Sequence, residues 1–275
     1  MHWSFWWNLP VSLLTAWVWA LLAFLVGRIV HRHATIDVFW GAGFVVVYLE
    51  TLVAARHVSD TVAVTFGPPV ISFTDRYVVL GFVAVWGLRL AVHLAIRQRG
   101  AQEDSRYVAI MKGAGDRNAT LYALRTIYAL QGLLLWFVSI PLQWIAFRAH
   151  YDGLFVVGLC IVVIGVTFEA TGDEQLRRFV ADPATRGTTL HRGLWRYTRH
   201  PNYFGDALVW SGFYVVACSS GWGSLTIASP LVMIYLLTSL SGAPMLERKL
   251  TTTRAGYDEY VASTSSFIPR QPKRH

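Results

Sequence analysis

The chain has 275 residues, of which 54% are hydrophobic and only 15% charged, and it carries a formal net charge of +8. Soluble domains usually carry about 25% charged residues, and the apolar residues here run in long blocks, so an ordinary water-soluble globule is excluded. The basic residues cluster between those blocks, where membrane topology accounts for them, and this disfavours nucleic-acid binding.

A membrane span needs about 20 mostly apolar residues, and seven blocks can be marked. The first covers about residues 11–26 and stops at Arg28. Trp3, Trp6 and Trp7 before it suit a membrane interface. The basic start and small-residue cleavage site of a secretory signal are not seen, so this block is read as a retained span. The second (about 36–55) carries Asp37 and Glu50, and the third (about 77–96) carries Arg89 and His93. The fourth (about 120–147) has Arg125 near its start and Pro141 near its end. The fifth (about 153–171) has Glu169 in its last turn, and the sixth and seventh cover about 203–218 and 225–244. With the N-terminus outside, twenty Lys and Arg fall in inside segments and Arg56, Arg76 and Arg148 fall outside. That asymmetry predicts seven transmembrane helices, all-α, with the C-terminus in the cytoplasm.

No linker, repeat or low-complexity tract divides the chain, which reads as one domain over 1–275. Cys160 and Cys218 both lie in apolar blocks, which predicts neither a disulfide framework nor a thiolate metal site. Gly41-Ala-Gly43 and Gly113-Ala-Gly115 lack the third glycine of a Rossmann fingerprint. Small residues in a span instead let helices approach closely. Residues 173–179 extend the fifth helix into the cytoplasm, with Asp173–Arg177 and Glu174–Arg178 in the favourable i, i+4 order. Pro183 ends that extension. Asn202 reads as the N-cap of the sixth helix, with Asp206 in its first turn.

The densest chemistry lies in Gly193-Leu-Trp-Arg-Tyr-Thr-Arg-His-Pro-Asn-Tyr-Phe-Gly-Asp206. Arg196, Arg199 and His200 converge just before a helix N-terminus, an arrangement that suits an anion. Lipid head groups would satisfy the same cations. Within the spans, ionisable residues are costly and point to function. Glu50 either pairs with Arg89 or His93 or acts as an acid toward a substrate carbonyl. Glu103, Asp104 and Tyr107 form either a solvated loop or part of a cap.

The 193–206 run resembles the C-terminal signature of the steroid 5-alpha-reductase family, in its bacterial branch. Further similarity lies in Phe168-Glu-Ala-Thr-Gly-Asp-Glu-Gln-Leu-Arg-Arg-Phe179, Ser241-Gly-Ala-Pro-Met-Leu-Glu-Arg-Lys-Leu250, Gly256-Tyr-Asp-Glu-Tyr260 and Phe267-Ile-Pro269. Upstream, Asp37-Val-Phe-Trp-Gly41 and Arg97-Gln-Arg-Gly-Ala-Gln-Glu-Asp-Ser-Arg-Tyr107 resemble the same branch. The resemblance implies a seven-span fold in the bacterial inner membrane and reduction by NADPH of a carbon–carbon double bond conjugated to a carbonyl. It also implies a lipophilic substrate drawn from the bilayer, and a cytoplasm-facing cofactor site within about 155–275. By position, Asp173, Arg177, Asn202 and Asp206 would bind the cofactor, joined by Arg196, Arg199, His200, Tyr203, Glu247 and Tyr257. Glu50 and Tyr107 are the candidate proton donors. No metal is implied, and the oligomeric state is left open.

One feature departs from the pattern. Steroid-reducing members use a Gln-Glu pair in an early span, whereas Leu49 precedes Glu50 here and Gln102-Glu103 lies in a loop. The substrate is therefore not narrowed to a steroid. The Arg-His-Pro-x-Tyr-x-Gly pattern, here Arg199 to Gly205, is also similar to isoprenylcysteine and phospholipid methyltransferases, which use S-adenosylmethionine. A lipid-binding or transport protein is the third reading.

Overall fold

A computed structural model describes residues 2–66, 74–148, 151–240, 247, 250–251 and 253–272, with the side chains of 2–4 and 59–66 excepted. Of the residues singled out in the sequence, the Trp3 side chain, Arg248, Lys249, Lys273, Arg274 and motif residues 241–246 lie outside the described residues. Every regular element among the described residues is helical. Six helical stretches are long and apolar enough to cross a membrane: Phe5–Ile29, Thr35–Val58, Thr74–Gln98, Ala119–Val138, Gly153–Ala181 and Gly221–Leu240. Large apolar side chains stand exposed along them, such as Leu14, Val53, Val85 and Ile164. Soluble monomers rarely carry apolar surface on that scale. The sixth block of the sequence reading also forms a helix, Pro201–Cys218, but it is not among these six. Asn202 and Asp206 lower its apolarity, and much of it is buried.

The chain divides into two compact units, one of residues 1–155 and 217–229, the other of 156–216 and 230–275. In the first, α1 (His2–Ile29), α2 (Thr35–Phe66) and α3 (Thr74–Gln98) pack in sequence. A short helix α4 (Ser105–Lys112) follows, then α5 (Ala119–Ala123), a π-helical stretch (Leu124–Ala129) and α6 (Leu130–Val138). The predicted fourth span breaks at Ser139, and α7 (Ile140–Arg148) begins anew. Pro141 explains the break, because it lacks the N–H that a continuous helix requires there.

Gly41 fulfils the close-packing expectation. A Cβ there would lie 2.2 Å from the Gly87 carbonyl oxygen, and one at Gly87 would lie 2.3 Å from that of Gly41. This contact sets the antiparallel register of α2 on α3, and Tyr48 confirms it by donating to the Arg76 carbonyl at 3.1 Å. A buried polar network closes the other side of the unit. Ser12 donates to Gln143 Oε1 at 2.7 Å, and Gln143 Nε2 donates to Ser139 Oγ at 2.8 Å. Buried side-chain amides need such partners.

In the second unit, α8 (Gly153–Ala181) packs on α9 (Pro201–Cys218) through a glycine seam. Gly158 faces Gly212 and Val216, Gly165 faces Gly205 and Val209, and Gly172 faces Pro201 and Asn202. The seven-residue spacing of Gly158, Gly165 and Gly172 keeps them on one side of α8. The α8 extension ends at Ala181, as Pro183 predicts. The last span ends in α10 (Ala228–Tyr235) and a π-helical stretch (Leu236–Leu240), and α11 (Tyr257–Ser263) lies in the tail.

Candidate functional site

Polar residues gather at one end of each unit. In the first unit, Glu103 braces the α1–α2 turn rather than standing free in solvent. Its carboxylate accepts from the backbone N–H of His33 at 2.5 Å and of Ala34 and Asp104 at 3.0 Å. Asp104 caps α4 by accepting from the Arg106 N–H at 2.8 Å. Arg106 then reaches Asp37 at 2.7 Å, and the Tyr107 hydroxyl donates to the other Asp37 oxygen at 2.5 Å. From the sequence, Asp37 near the start of its span reads either as a membrane-interface residue or as a functional one. The pairing hidden from that reading joins positions 69 and 70 residues apart.

Tyr107 is 3% exposed. Burial and the Asp37 charge push its phenol well above the ordinary 10.0, so it remains a hydrogen-bond donor. A cavity of about 470 Å³ opens beside it, lined by His33, Glu103, Tyr107, Val108, Met111 and Lys112. His33 Nδ1 lies 3.2 Å from the hydroxyl of Tyr128, which the π-helical stretch carries. Such stretches are frequent at functional sites.

Glu50 stands apart from this cluster. Thr51 Oγ1 donates to it at 3.3 Å. Thirteen helical residues separate Glu50 from Asp37, about 20 Å at 1.5 Å per residue. Tyr107 and Glu50 therefore cannot serve the same carbonyl. The expected pairing of Glu50 with Arg89 or His93 also fails on register. With Gly41 opposite Gly87, Arg89 lies level with Phe39, about 16 Å along the helix from Glu50.

In the second unit, the residues of the 193–206 run come together with parts of α8 and the tail. Asn202 is not the N-cap, because α9 already begins at Pro201 and His200 accepts the first helical bond from Phe204 N–H at 3.0 Å. Proline suits a first helical position, where no N–H partner is needed. The Asn202 side chain is thereby free to reach across to α8, where Nδ2 donates to Asp173 Oδ1 at 3.2 Å. The i, i+4 expectation is half met: Glu174 takes both Arg177 and Arg178 at 2.6 Å, and Asp173 holds Asn202. Asp173 and Asp206 are buried, while Arg177 and Arg196 are exposed. Tyr203 stacks on His200 with centroids 5.3 Å apart.

Glu247 is the centre of a second cluster. Arg199 Nε and His200 Nε2 each lie 2.8 Å from its Oε1. Tyr257 is buried nearby, and its phenol is pushed up to about 12 by burial and the Glu247 charge. Burial works against ionisation of Glu247, but hydrogen bonds from His200 and Arg199 and their charges hold its carboxyl down at about 2. A depressed carboxyl contributes stability above its ordinary value of 4.5 and loses it as pH falls toward 2. Loosening of the tail, read as its proteolytic susceptibility, is thus expected only on acidification between those values. Glu247→Gln should remove that acid transition.

Among the described residues the fold is all-helical, with six helices fit to cross a membrane and polar clusters at helix ends, which is consistent with an integral membrane protein. Residues 23–264 match the family model DUF1295, described as a protein of unknown function, and the chain belongs to that family. No curated protein and no solved structure matches the chain.

Proposed function

We propose that the protein is a membrane-embedded, NADPH-dependent reductase of a carbon–carbon double bond conjugated to a carbonyl in a lipophilic substrate. On this reading α9 is a seventh span, the N-terminus lies outside, and the cofactor end faces the cytoplasm of a bacterial inner membrane. The carrying observation is the meeting of Asn202 with Asp173 at the start of α9, within a run that resembles the steroid 5-alpha-reductase signature.

The donor set suits a dinucleotide phosphate. Exposed Arg177 and Arg196 supply guanidinium groups for bidentate phosphate contacts. Asn202 and Asp173 offer an amide and a carboxylate for a carboxamide or a ribose hydroxyl. His200 Nδ1 is buried with no hydrogen-bond partner among the described residues, so a polar group remains to be satisfied at this end of α9. Asp206 and Tyr203 belong to the expected set as well, the rest of it being Arg199, Glu247 and Tyr257.

NADPH, when bound, supplies a hydride. The chain must then stabilise charge that develops on the substrate oxygen, which a fixed donor does well. Tyr107 is one candidate donor: its hydroxyl stays protonated, but its single proton is donated to Asp37, so it would have to turn from that carboxylate to serve a substrate oxygen. Glu50, too distant to share that role, is the alternative donor and is tested separately by Glu50→Gln.

The test is thermal stabilisation of detergent-purified protein, because a ligand that binds only the native state raises its midpoint. NADPH is expected to raise it. A shift with S-adenosylmethionine alone would make the protein a methyltransferase of the isoprenylcysteine or phospholipid type. No shift with either would favour a lipid-binding role.

A further inference from the structure

The run before α9 is bound along its length to the end of the tail. Tyr197 accepts from the Arg270 N–H at 2.9 Å, and the Arg199 N–H donates to the Ser265 carbonyl at 2.9 Å. Thr198 Oγ1 donates to the Phe267 carbonyl at 2.7 Å. Arg199 Nη1 donates to the carbonyls of Thr264 at 2.7 Å and Val261 at 3.0 Å. The Tyr260 hydroxyl donates to the Trp195 carbonyl, and Phe267 packs edge-on against Phe204 of α9.

All three guanidinium nitrogens of Arg199 are engaged in these bonds and in those to Glu247. The side chain is 9% exposed, and His200 beside it is 1% exposed. A ligand phosphate would have to displace a carboxylate and two carbonyls to reach Arg199. Helix α11 has seven residues, too few to hold itself in water, and its last carbonyls need donors. Arg199 supplies them.

We propose that residues 257–270 form a strap closed across the loop that feeds α9, and that Arg199, His200 and Glu247 are positioning residues that latch it. The strap sets the path of residues 197–200 and, through them, the seat of Asn202. Its consequence for ligand binding rests on the reductase reading, whereas the latch itself does not. Arg196 and Arg177, both exposed, are then the cations left for a phosphate.

The experiment is hydrogen exchange read by mass spectrometry on the full chain in detergent, without ligand, comparing the wild type with Arg199→Ala, Arg199→Lys and Glu247→Gln. Exchange over 257–270 should rise at least about tenfold in all three variants while α8 keeps its protection, which shows that the protein is still folded. Lysine is expected not to rescue, because one ammonium lacks the planar fork that serves a carboxylate and two carbonyls at once. Unchanged exchange over 257–270 in Arg199→Ala and Glu247→Gln would overturn the latch. Nucleotide affinity gives a second measurement. A selective loss of NADPH binding over NADH binding would make Arg199 a contact of the 2′-phosphate, the one group in which the two nucleotides differ, and would overturn the assignment. Failure of the wild type to bind either nucleotide would remove the reductase reading and leave the exchange result to decide the strap.

Discussion

Arg177→Ala should abolish most of the stabilisation that NADPH gives the purified protein, with little effect on the unliganded midpoint. Arg177 lies on the exposed side of α8, and its only described ion pair is with Glu174. Exposed pairs of this kind contribute little to stability, and Arg178 remains to hold Glu174. A lost response to NADPH would therefore report binding and not unfolding. Hydrogen bonds to charged groups are worth about 1.5–3 kcal/mol, and each 1.4 kcal/mol is about tenfold in affinity. The expected weakening is thus about 10- to 100-fold. Asn202→Ala should weaken binding comparably but should also lower the unliganded midpoint, because Asp173 loses the amide that donates to it. Arg178→Ala is the control, with binding unchanged. If NADPH stabilised Arg177→Ala and Asn202→Ala as well as the wild type, the cofactor assignment at α9 would be wrong.

The second large effect is expected at the glycine seam. A Cβ at Gly205 would lie 2.5 Å from the Glu169 backbone nitrogen and 2.7 Å from the Gly165 carbonyl oxygen. Both obstacles are backbone, so no side chain can swing away, and the two helices must separate. Overpacking costs about 1–3 kcal/mol, occasionally more, and one kcal/mol moves the midpoint of a chain this long by about 2–4 °C. Gly205→Ala should therefore lower the melting midpoint by about 2–12 °C. Gly81→Ala, in α3, has nothing within 4 Å of its added Cβ. That change should be neutral or slightly stabilising, since glycine inside a helix costs about 0.5–1 kcal/mol relative to alanine. Equal midpoints for the two variants would refute close backbone packing of α8 on α9.

The seam also shows where sequence reading fell short. Gly158, Gly165 and Gly172 recur every seven residues in and just past one apolar block, the same close-packing signal as Gly41 and Gly43. The Glu50–Arg89 pairing went wrong for a different reason. Charges in neighbouring spans attract attention by their rarity, but whether they meet depends on the register of two antiparallel helices. Gly41 against Gly87 decides that register, and nothing local to Glu50 reports it.

What the sequence determined by itself was whatever depends on local length and composition. The apolar blocks placed the helices, Pro183 marked the end of α8, and the 193–206 run marked the start of α9 as a place where polar side chains concentrate, whereas the fourth block runs through Pro141 and its break came only with the structure. Such signals survive without a partner because helix formation and membrane burial act over one contiguous segment. Only the tertiary structure decided which polar groups meet: Tyr107 with Asp37 across 70 residues, Asn202 with Asp173 across 29, and Arg199 with Glu247 across 48. Those pairings follow from helix register and from which face each helix turns inward, and a uniformly apolar span does not encode that face in its own sequence. The same dependence turned Arg199, which the sequence offered as a cation for a ligand, into the residue that holds the tail.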